Sequence, residues 1–200
     1  LLHLIDEKNN EEIICSIEDF SDIENFSRDD LSITIKSGEI VPIEYSISQI
    51  IDNNGQVDGA VMVFRDIREK RERTDRISYL SNHDQLTGLY NRSYYEEQLE
   101  HLIKEEQLPL TLAIMDVNGL KLTNDAFGHL MGDRLLKTLS DVLKEKCRDK
   151  DMLFRVGGDE FVIMMPNTTE EEGKEVFTSI YRTLEKVKLE KIVISVSIGW

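Results

Sequence analysis

Cysteine is nearly absent: Cys15 and Cys147 are the only two in 200 residues. That is too few for a disulfide framework, so reduced thiols and a cytoplasmic location are the default expectation. No apolar run approaches the ~20 residues that a membrane-spanning helix needs, and no stretch reads as a signal peptide. The chain opens on Leu1 rather than Met. This predicts a piece of a longer protein and leaves membrane tethering through upstream segments open. Basic charge is in deficit. Lys and Arg number 24 against 39 Asp and Glu, a net charge of −15, whereas a nucleic-acid surface would need the opposite sign. No cluster of His or Cys stands out as a haem or flavin anchor, and His3 reads as an ordinary surface residue.

Enough is present to build cores, since 40% of the residues are hydrophobic. Two hundred residues hold one large domain or two small ones. Residues 1–67 read as the first unit. Ser32–Lys36, Ile40–Ser48 and Gly59–Arg65 have strand character, separated by turns at Ser37-Gly38-Glu39 and Asp52–Gly55. Val41, Ile43, Tyr45 and Ile47 alternate onto one face, which predicts a half-buried antiparallel sheet. This meander, closing on Phe64-Arg65-Asp66-Ile67, resembles the C-terminal half of a PAS sensor domain. The resemblance implies a helical segment before the strands, first strands upstream of Leu1 and an incomplete pocket for an unknown ligand. Residues 68–83 mix charges with the sparse apolar residues Ile77 and Leu80, after Ile67 and Thr74. They predict a connecting helix, either a plain linker or a short two-stranded coiled coil.

The rest of the chain is organised around Phe154-Arg155-Val156-Gly157-Gly158-Asp159-Glu160-Phe161. Two apolar runs joined by Gly-Gly predict a β-hairpin, with glycine expected to supply a positive φ at the turn. An acidic turn is by itself ordinary. Upstream, however, the run Leu110–Met115 stops at Asp116, followed by Val117-Asn118-Gly119-Leu120-Lys121-Leu122-Thr123-Asn124-Asp125-Ala126-Phe127-Gly128-His129 and then Gly132-Asp133. A carboxylate closing one strand and another on a neighbouring hairpin can jointly hold a hard cation. The combination, from about His83 to Trp200, resembles the GGDEF family, the diguanylate cyclases that make cyclic di-GMP from two GTP molecules.

Around those motifs, His83–Arg92 reads as a turn leading into a helix capped by Ser93 and Glu96. Further helices are expected over about 129–147, with Leu135, Leu139, Val142 and Lys146 on one face, and about 170–188, capped by Thr168 and Glu171. The second of these would bury Val176, Ile180, Leu184 and Val187. Ile192–Trp200 is expected as a last strand. The fold class is therefore α+β: a partial PAS sheet (1–67), a connecting helix (68–83), and an α/β palm-like, nucleotide-cyclase-like domain (84–200) lacking its C-terminal end.

The resemblance implies roles for particular residues. Asp116, the backbone carbonyl of Val117, and Asp159 would hold Mg²⁺, with Mn²⁺ as the alternative. Asp159 would also help deprotonate a ribose 3′-hydroxyl, and Glu160 would support the metal or the guanine side. Lys121 and the backbone around Gly119 and Leu120 would meet phosphates, while Gly157 and Gly158 let them approach the turn. Asn124 and Asp133 stand where the family reads guanine, and His129 belongs to the same motif. Arg148 and Asp151, with five residues between Asp151 and Gly157, have the spacing of the family's inhibitory product site. Asn118 departs from the second Asp that most relatives carry, and Gly119 and Leu120 stand in place of aromatic residues. The expected partners are GTP, cyclic di-GMP and a second copy of the chain, since a two-fold symmetric product needs two facing half-sites. Two other readings are a silent GTP- or cyclic di-GMP-binding regulatory module, and a sensor and dimerisation unit with a degenerate C-terminal domain.

Overall fold

A computed structural model describes residues 3–8, 11–14, 26–104, 108–190 and 192–200. Cys15 and the expected helical segment ahead of the first unit's strands fall on or around 15–25, outside the described residues. The chain divides into two compact units, Leu1–Ile77 and Ser78–Trp200.

The first unit is an antiparallel sheet of five strands: β1 (His3–Asp6), β2 (Glu11–Ile14), β3 (Phe26–Thr34), β4 (Ile40–Ile51) and β5 (Val57–Asp66), in the order β2-β1-β3-β4-β5. The three expected strands are there, longer than their apolar runs suggested. β1 and β2 were not anticipated, because acidic residues interrupt their short apolar pattern. Val41, Ile43, Tyr45 and Ile47 are all buried, joined by Leu4 and Leu31. On the rim Arg28 pairs with Asp6 at 2.8 Å and Asp30 at 2.7 Å. Helix α1 (Arg68–Asn82) follows and buries none of its own residues. Ile67, expected to share its apolar stripe, instead precedes the helix and is buried.

In the second unit α2 (Arg92–Lys104) precedes β6 (Thr111–Val117) and the helix pair α3 (Leu120–Phe127) and α4 (His129–Lys146). The hairpin β7 (Met152–Arg155) and β8 (Glu160–Met165) leads to α5 (Glu170–Leu184), then to the short strands β9 (Lys188–Leu189), β10 (Ile192–Val193) and β11 (Val196–Gly199). Four of these strands form one antiparallel sheet in the order β11-β6-β8-β7. The run Phe161–Met165 is continuously apolar because β8 is central and covered on both faces. Phe161, Ile163 and Met165 join a core with Leu135, Leu139, Leu143, Phe177 and Ile180 of α4 and α5. Val162 and Met164 point the other way, into a core with Leu102 of α2. Gly173 lets α5 lie close to β6, since a Cβ there would come within 2.9 Å of Thr111 Cγ2.

Several local expectations are corrected. Asn91, not Ser93, caps α2 by accepting from Tyr94 N–H at 3.1 Å. Glu96 pairs with Arg92 one turn away. The capping box of α5 is Thr169 with Glu172, one residue beyond the expected pair. That helix ends at Leu184, so Val187 lies outside it. The last strand is broken into β10 and β11.

Candidate active site

Strand alternation places the first functional carboxylate. Met115 and Val117 of β6 are buried among the α4 and α5 side chains, so Asp116 between them must face the opposite side, where it is exposed. It does not terminate β6 as expected; the strand runs one residue further. In the β6–β8 register Asp116 stands directly opposite Glu160. Like charges facing each other across an antiparallel pair repel. Among the described residues neither carboxylate has a hydrogen-bond or ion-pair partner, and the same holds for Asp159 in the β7–β8 turn. That turn is fastened to β6 through the Val117 N–H, which donates to the Asp159 carbonyl at 3.0 Å. The pieces expected to hold a cation are thus gathered at one end of the sheet.

Gly157 and Gly158 are not in the positive-φ region, contrary to expectation. The room at Gly157 is taken by a side chain instead: Glu160 folds back across the turn, and a Cβ at 157 would lie 2.5 Å from its Oε2 and displace it. Gly158 faces open space, so a ligand can reach its backbone. Positive φ is found at Gly119, with φ 72, which begins α3 with no side-chain cap. The first N–H groups of that helix are therefore unclaimed by a capping side chain, and the Lys121 ammonium nearby is exposed without an ion-pair partner among the described residues. Across the α3–α4 pair, Asn124 Oδ1 is buried and has no hydrogen-bond partner among the described residues. It fits against α4 only because residue 132 is glycine: a Cβ there would sit 2.0 Å from it. Asp133 follows at once, half-buried, while His129 at the start of α4 is exposed.

Two residues that the sequence analysis gave no role brace the turn. Arg155 Nη2 donates to the Gly158 carbonyl at 2.7 Å, and Nη1 donates to both Asp84 oxygens at 3.1 and 3.2 Å. Asp84 also accepts from Thr87 N–H at 2.9 Å and Thr87 Oγ1 at 2.7 Å. Burial alone would raise the Asp84 pKa, but the Thr87 hydrogen bonds and the Arg155 guanidinium outweigh it and hold the carboxyl below its usual value. Arg155 was visible two residues ahead of Gly157, and Asp84 within His83–Arg92. Their partnership spans 71 residues and has no local signature. Gly132, an isolated glycine in a helical run, did carry a packing signal.

Arg148 and Asp151 lie at the other end of β7 from the turn. They close on each other: Asp151 accepts from the Arg148 backbone N–H at 2.8 Å and from its Nη2 at 2.9 Å. The Asp151 side chain is 0% exposed. Arg148 Nη2 also donates to Thr168 Oγ1. Thr168, expected as a helix cap, is buried and serves this cluster instead.

No cluster of three or more His, Cys, Asp and Glu is assembled for a metal among the described residues. The donor set is leaner, and it fits Mg²⁺, which takes one or two carboxylates, keeps several waters and is completed by substrate phosphates. Two opposed carboxylates with no cation of their own are what such an ion would neutralise.

An antiparallel sheet sandwiched by helices, with carboxylates unpaired among the described residues at a hairpin turn and an open helix start near them, defines a mixed α/β domain. Residues 81–200 match the family model described as "Diguanylate cyclase, GGDEF domain", and the chain belongs to that family. Among curated relatives, "Probable diguanylate cyclase DgcE" of Escherichia coli is 33% identical over 154 residues, covering 76% of this chain and 14% of that protein. "Cyclic di-GMP phosphodiesterase PdeB" of Shewanella oneidensis is 33% identical over 127 residues, covering 64% and 15%. The solved diguanylate cyclase SiaD of Pseudomonas aeruginosa, in complex with its activator SiaC, matches with a TM-score of 0.58 at 27% identity, covering 66% of this chain and 54% of that one. The chain thus spans about a seventh of the length of the two curated relatives.

Proposed function

We propose that this chain carries a diguanylate cyclase that condenses two GTP into cyclic di-GMP and two pyrophosphates with a divalent cation, Mg²⁺ or alternatively Mn²⁺. The observation that carries the reading is the direct opposition of Asp116 and Glu160, with Asp159 beside them and none of the three partnered within the described residues. Asp116, Asp159 and the Val117 carbonyl would hold the cation, which supplies Lewis-acid polarisation of a phosphate and charge neutralisation when bound.

The chain's own groups do the rest. The N–H groups opening α3 and the Lys121 ammonium receive phosphate oxygens. The unpaired Asn124 Oδ1 accepts from a guanine N–H, with Asp133 as a second acceptor and His129 at the rim. Leaving such a buried acceptor unmatched would reject adenine. Asp159 takes the proton from a ribose 3′-hydroxyl, whose oxygen attacks the α-phosphate of the other nucleotide. The α–β phosphoanhydride bond breaks and pyrophosphate leaves.

Two-fold symmetry of the product calls for two chains face to face. Ile77 and Leu80, three residues apart on α1 and both exposed, form the strip by which two copies would pair. Residues 1–67 would act as a partial PAS sensor governing that pairing, with 68–83 as the connecting helix and 84–200 as the catalytic domain. Feedback by cyclic di-GMP at Arg148 and Asp151 would require the guanidinium to turn away from Asp151.

The test is chromatography of products from GTP and Mg²⁺, with Asp159→Asn in parallel. Cyclic di-GMP from the parent alone supports the cyclase. GTP bound but never converted by the parent overturns it and leaves a silent nucleotide-binding module.

A further inference from the structure

β6 lies between β8 and β11, and its end is fastened on both sides. Toward β8 the fastening is the Val117 bond to the Asp159 carbonyl. Toward β11 it is Asn118. The Asn118 backbone N–H donates to the Ser195 carbonyl at 2.9 Å, Nδ2 donates to Ser195 Oγ at 3.0 Å, and Oδ1 accepts from Ser197 Oγ at 3.0 Å. Ser197 itself stands directly opposite Asp116 in the β11–β6 register, as Glu160 does on the other side. The row Ser197–Asp116–Glu160 therefore crosses three strands on one face. The Asn118 amide is thus bonded to the serine that stands across from Asp116.

The chemistry of that position is specific. A carboxamide offers a donor and an acceptor, so it holds both serines while carrying no charge. A carboxylate of the same shape would keep both contacts, because each serine hydroxyl can turn to donate. It would also add a negative charge beside Asp116 and Glu160, which already repel each other. An alanine would give up both side-chain bonds, keep the backbone one, and leave the charge unchanged. Shape and charge at residue 118 are thus separable by substitution.

We propose that Asn118 is a positioning residue of the cation site: its amide fixes the Val117–Gly119 turn to β11 and, being neutral, keeps affinity for a free divalent cation below what an isosteric carboxylate would give. This rests on the reading of Asp116 and Asp159 as cation ligands. A weakly held ion arrives chiefly as the complex with the triphosphate, whose phosphates complete its coordination.

The experiment is a Mn²⁺ titration of the intact chain without nucleotide, followed by electron paramagnetic resonance, alongside thermal melting and KM for the metal–GTP complex. Asn118→Asp is expected to stay folded, to melt slightly below the parent without metal because its charge adds to the repulsion, and to bind Mn²⁺ roughly threefold or more tighter, the sign a nearby added charge dictates. Asn118→Ala should bind Mn²⁺ no tighter, melt lower and show a raised KM, and the double variant Ser195→Ala with Ser197→Ala should resemble it. Asn118→Asp that is folded yet no tighter for Mn²⁺ than the parent overturns the proposal. So does Asn118→Ala with unaltered melting and KM. Parent binding that Asp116→Asn abolishes but Asn118→Asp leaves alone sinks this proposal only. Parent binding indifferent to Asp116→Asn and Asp159→Asn sinks the cation reading as well.

Discussion

Asp84 and Arg155 tie together two turns that the chain reaches far apart, and the tie is ionic. Since the folded Asp84 carboxyl is held below its usual value, its stabilisation is complete above the unfolded pKa and is lost as pH falls through the folded one. Asp84→Asn should therefore cost about 2 kcal/mol at neutral pH. The gap to the parent should close below about pH 4, as read by urea unfolding across an acid series; a gap independent of pH would rule out the ionic contribution. Cys147 behaves oppositely to a reactive thiol. Burial, followed by the nearby Asp151 charge, pushes its pKa up to about 12. Alkylation at neutral pH should leave the Cys147 peptide unmodified until the chain is unfolded, which mass spectrometry reads directly. At this scale the sequence made Asp116 and the acidic hairpin turn conspicuous, because an apolar run meeting a carboxylate stands out, although the strand itself continues through Val117 and its opposition to Glu160 was not foreseen. It could not show that Gly157 makes room for the Glu160 side chain rather than turning the backbone. Nor could it show that Arg148 and Asp151 satisfy each other, since hydrogen bonding inside a motif leaves no trace in residue spacing.

Among the elements, α5 illustrates how the start of a helix is decided. Thr169 Oγ1 accepts from the Glu172 N–H at 3.3 Å, while Glu172 Oε2 accepts from the Thr169 N–H at 2.8 Å. Thr168, next door, is claimed by Arg148. Thr169→Ala should lower unfolding free energy by about 1 kcal/mol, whereas Ser93→Ala should be near neutral because Asn91 does the capping of α2. Equal losses in the two variants, measured by denaturant titration, would contradict that assignment. The long periodic helix α4 was legible to within a residue of its ends, whereas α5 stops four residues short of its expected end. α3 was not foreseen as a helix: its eight residues are too few for a clear period, and the glycines at 119 and 128 mask it as loop. The division of Ile192–Trp200 into β10 and β11 also escaped notice, because a continuous run of strand formers hides a change of sheet partner.

At the scale of the molecule, one chain presents one set of site residues, and a symmetric dinucleotide needs two. Product formed per chain should rise with chain concentration in the range where copies associate, then level off. A rate per chain that stays constant on dilution into monomer would exclude the paired arrangement. The opposed Asp116 and Glu160 also bear on the stability of the whole domain. Relieving their repulsion should stabilise it by a few tenths to about 1 kcal/mol, so Asp116→Asn is expected to melt above the parent while making no product. Lower melting of that variant would show that the pair is not strained. The arrangement is a local frustration that selection for folding alone would erase. A consensus-style or computational redesign that optimises stability would neutralise this spot early. On the reading proposed above, it would return a sturdier, idle protein.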